Sequence, residues 1–428
     1  MNRIFILMVF PVVAIMVLSR SAHAQRVNYE EAPISYSVSR PDNRISQLQE
    51  RLSSGTATLK FDDQQGYLRS LLDALQISPS TQVLTFARTS LQDDKISPKK
   101  PRAIYFGEDV HVGFVQNGLI EIAAHDAQLG MVFYTLKQTN EANPSFLRQT
   151  NSCLTCHGAA RTRNVPGVLI RSVYPDPDGH PVVAAGSFLS THRSPLNQRW
   201  GGWYVTGKHG DQQHLGNYVL TTAKKPKSID NAAGHNLTDL AERFDTTRYL
   251  SPHSDLVALM VLEHQTETLN ILTTASFEVR HAQYSIEQAG PDTEALARAQ
   301  KLLSDRLAKN SELIVRALLF VEETPLTAPV TGTSSFAEEF AAKGLRDDKG
   351  RSLRDFDLQT RMFRYPCSYL IQTEAFRALP EPLKEAVGEH LKVVLSSEQP
   401  PKGLEHLTPD VRAAITEILN STSPGLLK

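Results

Sequence analysis

The chain has 428 residues, of which 41% are hydrophobic and 21% are charged, and its formal net charge is −1. These values are those of an ordinary folded protein that can form two or three domains with a sizeable core. A net charge so close to zero gives no reason to expect a nucleic acid or a membrane surface as a partner.

Residues 1–24 predict a cleaved signal peptide. Met1–Arg3 is a short basic start, Ile4–Leu18 is apolar, and Ala22 and Ala24 form an A-x-A cleavage site. The apolar run is about 15 residues long, whereas about 20 residues are needed to span a bilayer. We therefore expect an exported, periplasmic protein that keeps no integral membrane segment after cleavage. An uncleaved anchor is the alternative.

The next two segments differ in character. Residues 25–80 predict an irregular lead and a short helix that carries Leu68, Leu71 and Leu72 at helical spacing. Residues 81–225 contain short runs of β-branched and aromatic residues separated by turn signals, which predict a mostly antiparallel sheet. The predicted strands are Gln82–Arg88, Arg102–Phe106, Val110–Val115, Leu119–Ala123, Met131–Lys137, Val168–Tyr174 and Val182–Leu189.

The remainder of the chain predicts helices. Residues 226–326 predict an antiparallel helical hairpin, whose first helix begins at an N-cap formed by Ser251 and Pro252 and runs to Gln288. A linker rich in Thr, Ser, Pro and Gly precedes a C-terminal helical domain at 335–428. The fold class is thus α+β, with a β-rich antiparallel domain followed by a mostly helical C-terminal half.

The run Cys153-Leu154-Thr155-Cys156-His157 is the most informative motif, and it contains two of only three cysteines in the chain. Spacing of i, i+3 places both sulfurs on one face of a helical turn. C-x-x-C-H is the signature of c-type haem attachment. A redox dithiol, a zinc site or a structural disulfide would fit the cysteines less well. No thioredoxin-like βαβ pattern surrounds the motif, and Cys156 and His157 are adjacent, which suits a tetrahedral ion poorly.

Over Cys153–Gly158 the chain resembles c-type cytochromes. The resemblance implies one covalent haem c, with thioethers to Cys153 and Cys156, His157 as the proximal iron ligand, and haem attachment outside the cytoplasm. It does not extend to the small helical cytochromes, because the motif lies within β-rich sequence. Segments Arg199–Gly210 and Arg364–Leu370 resemble parts of large bacterial mono-haem proteins. The strand–haem helix–strand order resembles PAS-like haem sensor domains.

The second axial ligand is less well specified by the sequence. Both tryptophans, Trp200 and Trp203, lie among glycines and histidines, which suits the wall of a haem pocket as well as a buried aromatic cluster. We expect Trp200, Trp203 and Arg199 as haem contacts. His209 is the first distal candidate, and the others are His192, His214, His264, Met131 and Cys367.

These observations predict an exported mono-haem c-type cytochrome that transfers electrons to a redox partner protein. A periplasmic haem-based sensor or ligand-binding protein is the first alternative. A haem oxidoreductase acting on a small substrate is the second, although the sequence offers no complete set of acid, base and substrate-binding residues.

Overall fold

The computed structural model describes residues 27–222, 228–399 and 401–427, so the predicted signal peptide lies outside the described residues. The predicted α+β class is confirmed. A seven-stranded antiparallel sheet occupies the N-terminal half, and the C-terminal half is mostly helical.

The strands of the main sheet are β1 (Val83–Thr85), β2 (Arg102–Phe106), β3 (Val110–Phe114), β4 (Ile120–Asp126), β5 (Gly130–Leu136), β6 (Phe146–Gln149) and β9 (Trp203–Tyr204). They lie in the order β6-β5-β4-β3-β2-β1-β9, with every neighbouring pair antiparallel. The strands β7 (Arg171–Val173) and β8 (Ser187–Leu189) were predicted, and they form a separate two-stranded sheet. The strands β6 and β9, which close the two ends of the main sheet, were not predicted.

From residue 27 onwards, two helices precede the sheet. The predicted helix is present as α2 (Leu68–Ala74), but the predicted irregular lead also contains α1 (Arg44–Ser53). A capping box explains α1, because the Asn43 side chain accepts hydrogen bonds from the backbone N–H groups of Ile45 and Ser46, and the Ser46 hydroxyl accepts from Asn43 N–H.

A single helical turn, α3 (Leu154–His157), carries the cysteine motif, and in the described part of the chain six helices follow the sheet. They are α4 (Leu256–Ala289), α5 (Thr293–Leu318), α6 (Phe336–Ala342), α7 (Glu374–Arg377), α8 (Glu381–Ser396) and α9 (Pro409–Thr422). The predicted hairpin is formed by α4 and α5, which pack along each other, and α5 also packs against α8.

The predicted start of the long helix was wrong. The helix α4 begins at Leu256 rather than at Ser251, because the buried carboxylate of Asp255 accepts hydrogen bonds from Val257 N–H and Ala258 N–H. An aspartate in this position satisfies backbone donors that a helix leaves free at its N-terminus. The other carboxylate oxygen of Asp255 accepts from backbone N–H groups at 333 and 334 and so ties the 327–335 segment to the helix.

The two halves share one hydrophobic core. Its buried side chains extend without a break from Ile34, before α1, through the sheet and α4 to Leu419 in α9. Among the described residues, no helix has the length and apolar character that a membrane span requires.

Candidate functional site

The sheet half contains a cavity of about 490 Å³. This volume is within the range of small-molecule and cofactor sites. Cys153, Cys156 and His157 all line it, and so do residues of every strand of the main sheet. Cys156 is solvent-exposed, so the cavity opens to the surface at the motif. Leu262 and Thr266 of α4 contribute a further wall.

Gly167 forms two hydrogen bonds with His157, one with its ring and one with its backbone. The His157 Nδ1 atom lies 2.9 Å from the Gly167 carbonyl oxygen, and the Gly167 N–H donates to the His157 carbonyl at 2.8 Å. A carbonyl oxygen can only accept, so Nδ1 carries the proton and Nε2 keeps its lone pair. This hydrogen bond fixes the tautomer in which Nε2 is the metal-ligating atom.

The long helix α4 in turn holds Gly167 in place. The buried Asn270 donates from Nδ2 to the Val168 carbonyl at 2.7 Å and accepts from Val168 N–H at 3.2 Å. A glycine is required at position 167, since a Cβ atom there would lie 2.2 Å from Asn270 Oδ1. The orientation of the His157 imidazole therefore depends on a side chain that follows it by 113 residues in the sequence.

The wall opposite the motif is set by the register of three strands. His111 on β3 faces Ala123 on β4, and Ala123 faces Phe133 on β5, so the three side chains form a row on one face of the sheet. All three line the cavity. The ring of Phe133 packs against the ring of His157, with centroids 5.1 Å apart.

His111 is buried in this row, with 7% of its surface exposed, and neither ring nitrogen has a hydrogen-bond partner of normal geometry among the residues that the structure describes. Burial lowers its pKa to about 4, and a loose contact with the Ala123 backbone offsets this only in part. The imidazole is therefore neutral. Burial likewise lowers the pKa of His157, against the opposing effect of its hydrogen bond to Gly167.

Charged groups occupy two places in the cavity. Burial would raise the pKa of Glu121, but the Arg102 guanidinium at 2.7 Å and hydrogen bonds from Gln92 and Ser90 outweigh it and hold the pKa below its usual value. The carboxylate is therefore ionised and fully engaged. Arg161 and Arg171 also line the cavity, and neither forms an ion pair within the described part of the chain. Burial, and then the charge of Arg161, lower the pKa of Arg171.

Of the haem contacts predicted from the sequence, only Trp203 lines the cavity. Its indole N–H donates to the Arg171 carbonyl at 2.8 Å. Trp200 is buried elsewhere, with its ring 5.3 Å from that of His214. Arg199 is buried in an ion pair with Glu263, at 3.1 Å.

None of the six distal candidates lines the cavity, and they lie in several places. His192 and His264 meet beside the Arg199–Glu263 pair, with their Nδ1 atoms 3.3 Å apart, and His264 Nε2 lies 2.6 Å from the hydroxyl of Ser368. Cys367, next to that serine, is fully buried, and burial raises the pKa of its thiol to about 12.

The remaining three candidates are also outside the cavity. His209 and His214 pack together, with their Nε2 atoms 3.2 Å apart, and the ring of His235 lies beside both. Met131 is buried on β5, close to the β4–β5 turn.

Sequence reasoning missed His111, which besides His157 is the only histidine among the described residues that lines the cavity. A signal was present, because a histidine interrupts the apolar strand Val110–Phe114 and shares its face with Gly113. A lone histidine in a strand is, however, more commonly a core residue, and only the strand register connects it with the motif.

No protein-family model, no curated protein and no solved structure matches this chain. The chemical character of the site must therefore be read from its own residues. Two thiols and an imidazole lie at the mouth of a mostly apolar cavity, with two arginines beside them. Such a donor set could hold a flat apolar cofactor that has iron at its centre and carboxylates at its edge.

Proposed function

We propose that this chain is a c-type cytochrome that carries one haem and transfers single electrons. The observation that carries the proposal is that Cys153, Cys156 and His157 line the same cavity of about 490 Å³. Each thiol would add across one vinyl group, so that S–H and C=C are replaced by S–C and C–H without an oxidant. When bound, the haem supplies an iron that can change its oxidation state by one electron.

Each requirement of a haem has a matching group in the cavity. His157 presents Nε2 because Nδ1 is engaged by Gly167. Arg161 and Arg171 provide positive charge for the two propionates, and Trp203 and Phe133 provide aromatic surface. The exposed Cys156 would bring one edge of the ring to the surface, where a redox partner protein could approach it.

Electron transfer is favoured over acid–base catalysis by the state of the cavity's polar groups. Glu121 is the cavity's one carboxylate among the described residues, and it already accepts hydrogen bonds from Arg102, Gln92 and Ser90. A general acid or base must be free to exchange a proton with a substrate. The N-terminal sequence supports export, so we propose that haem attachment and electron transfer take place in the periplasm.

The proposal is tested on the exported full-length chain by extraction with acidified acetone. We expect the wild type to retain its haem, and the double variant Cys153→Ala/Cys156→Ala to lose all of it. Cys367→Ala is the matched control, because this third cysteine is buried outside the cavity, and it should retain haem as the wild type does. Complete extraction of haem from the wild type would overturn the proposal.

Electron transfer is measured on the same material. The covalently bound haem should be reduced and reoxidised reversibly in a potentiometric titration that fits a single one-electron step. A purified protein that does not cycle between the two states would contradict the proposed role.

A further inference from the structure

The unexplained feature of the cavity is His111. Polar groups that are buried in native proteins almost always have a hydrogen-bond partner, and an exception calls for an unseen ion, water or functional role. His111 is 93% buried, and within the described part of the chain both of its ring nitrogens lack such a partner. Its side chain lines the same cavity as His157.

The strand register places His111 in one row with the residue that contacts His157. Neighbouring strands are about 4.8 Å apart, so β3 and β5 are separated by about 10 Å. His111 stands on β3, and His157 packs against Phe133 on β5. Between these strands the row contains the small side chain of Ala123, and all three side chains of the row line the cavity.

We propose that His111 is the second axial ligand of the haem iron, opposite His157. The inference rests on the proposed function and adds to it the state of the iron, with both axial positions filled by imidazoles of this chain. Neutral imidazole is a good ligand for iron. The two ligands come from different parts of the cavity wall, since His157 is the last residue of α3 and is held by Gly167, whereas His111 is the second residue of β3.

This ligation decides which class of haem protein the chain belongs to. An iron with two protein ligands has no free position for carbon monoxide or another small molecule, and it changes oxidation state without changing its ligands. A carrier of electrons needs these properties. A sensor or an oxidase needs the opposite, an open axial position.

The test compares the wild-type exported chain with His111→Ala, both carrying covalent haem. We expect a low-spin wild type that does not bind carbon monoxide when reduced. We expect the variant to keep its acetone-resistant haem, to become high-spin, and to bind carbon monoxide promptly. His125→Ala is the matched control, because this histidine lies on the neighbouring strand β4 but does not line the cavity, and it should remain low-spin.

Two further variants keep the test decisive if His111→Ala is poorly folded. In His111→Gly, added imidazole should restore the low-spin spectrum, which a merely structural role would not produce. In His111→Met, a thioether would replace an imidazole and raise the reduction potential.

The outcomes separate the two proposals. A His111→Ala variant that keeps its haem and stays low-spin overturns the role of His111 and leaves the proposed function intact. A wild type that is high-spin and binds carbon monoxide also overturns it, and would indicate a sensing or ligand-binding protein. A wild type without covalent haem overturns both.

Discussion

Replacing Asn270 by alanine tests how the helical half holds the motif. The change removes two hydrogen bonds, from Asn270 Nδ2 to the Val168 carbonyl and from Val168 N–H to Asn270 Oδ1. Val168 is 7% exposed, so water reaches these backbone groups poorly. Leaving a buried group without a partner costs about 1–2 kcal/mol at the lower end of its range, so the two together should cost about 2–4 kcal/mol.

The free energy of unfolding is measured by urea denaturation. Its slope against urea concentration should be the same in the variant and the wild type, which shows that the folded state is otherwise intact. A second readout is the reduction potential. The hydrogen bond from His157 Nδ1 to the Gly167 carbonyl raises the basicity of the imidazole. Loss of the two Asn270 hydrogen bonds to Val168 should weaken that hydrogen bond and so lower the basicity. We therefore expect Asn270→Ala to raise the reduction potential.

Asn231→Ala is the matched control. Asn231 donates to the His214 and Gly216 carbonyls at 3.0 and 2.8 Å, so it also bridges two backbone groups, but far from the motif. It should destabilise the protein without changing the potential. A loss of less than about 1 kcal/mol in Asn270→Ala, or an equal change of potential in both variants, would refute the reasoning.

Three other measurements follow from the burial of single residues. Burial raises the pKa of the Cys367 thiol to about 12, so this thiol should not react with Ellman's reagent at pH 8 in the native protein. After denaturation, the holoprotein should show one free thiol rather than three. Burial lowers the pKa of His264 to about 3, below its value in the unfolded chain. The free energy of unfolding should therefore fall as the pH drops from about 6.5 towards 3, and this group contributes at most about 1.4 kcal/mol per pH unit to the fall. His264→Gln should flatten that slope, and an unchanged slope would contradict the assignment. Ala123→Phe would add a bulky ring to the cavity wall beside His111 and should abolish most haem incorporation while keeping the wild-type circular dichroism. The exposed Ala160→Phe should incorporate haem normally.

The elements that the sequence predicted are those with strong local signals. The hairpin of α4 and α5 and the strand Arg102–Phe106 follow directly from their periodicity and turn residues. The strand β9 has only two residues, Trp203 and Tyr204, and exists because it pairs with β1, which no local pattern encodes.

The residues of the site divide in the same way, into those that the local sequence reveals and those that only the fold brings together. The motif residues are adjacent in sequence and were found from their spacing alone. His111, Ala123 and Phe133 are brought together only by the register of three strands, and Asn270 reaches the motif from another half of the chain. Sequence proximity instead favoured the histidines near Trp203, which the fold places in other buried clusters.

The position of α4 has a consequence for the order in which the protein matures. Leu262 and Thr266 close one side of the cavity, and Asn270 fixes the segment that holds His157, yet all three are synthesised more than 100 residues after the motif. While only residues up to 222 have emerged, the sheet can form and the cavity is open on the side that α4 will cover. We expect this interval to be the time at which a bulky ring enters and is attached. Docking of the helix then seals it in place, so the β-rich part expressed alone should accept haem but hold its His157 loop loosely.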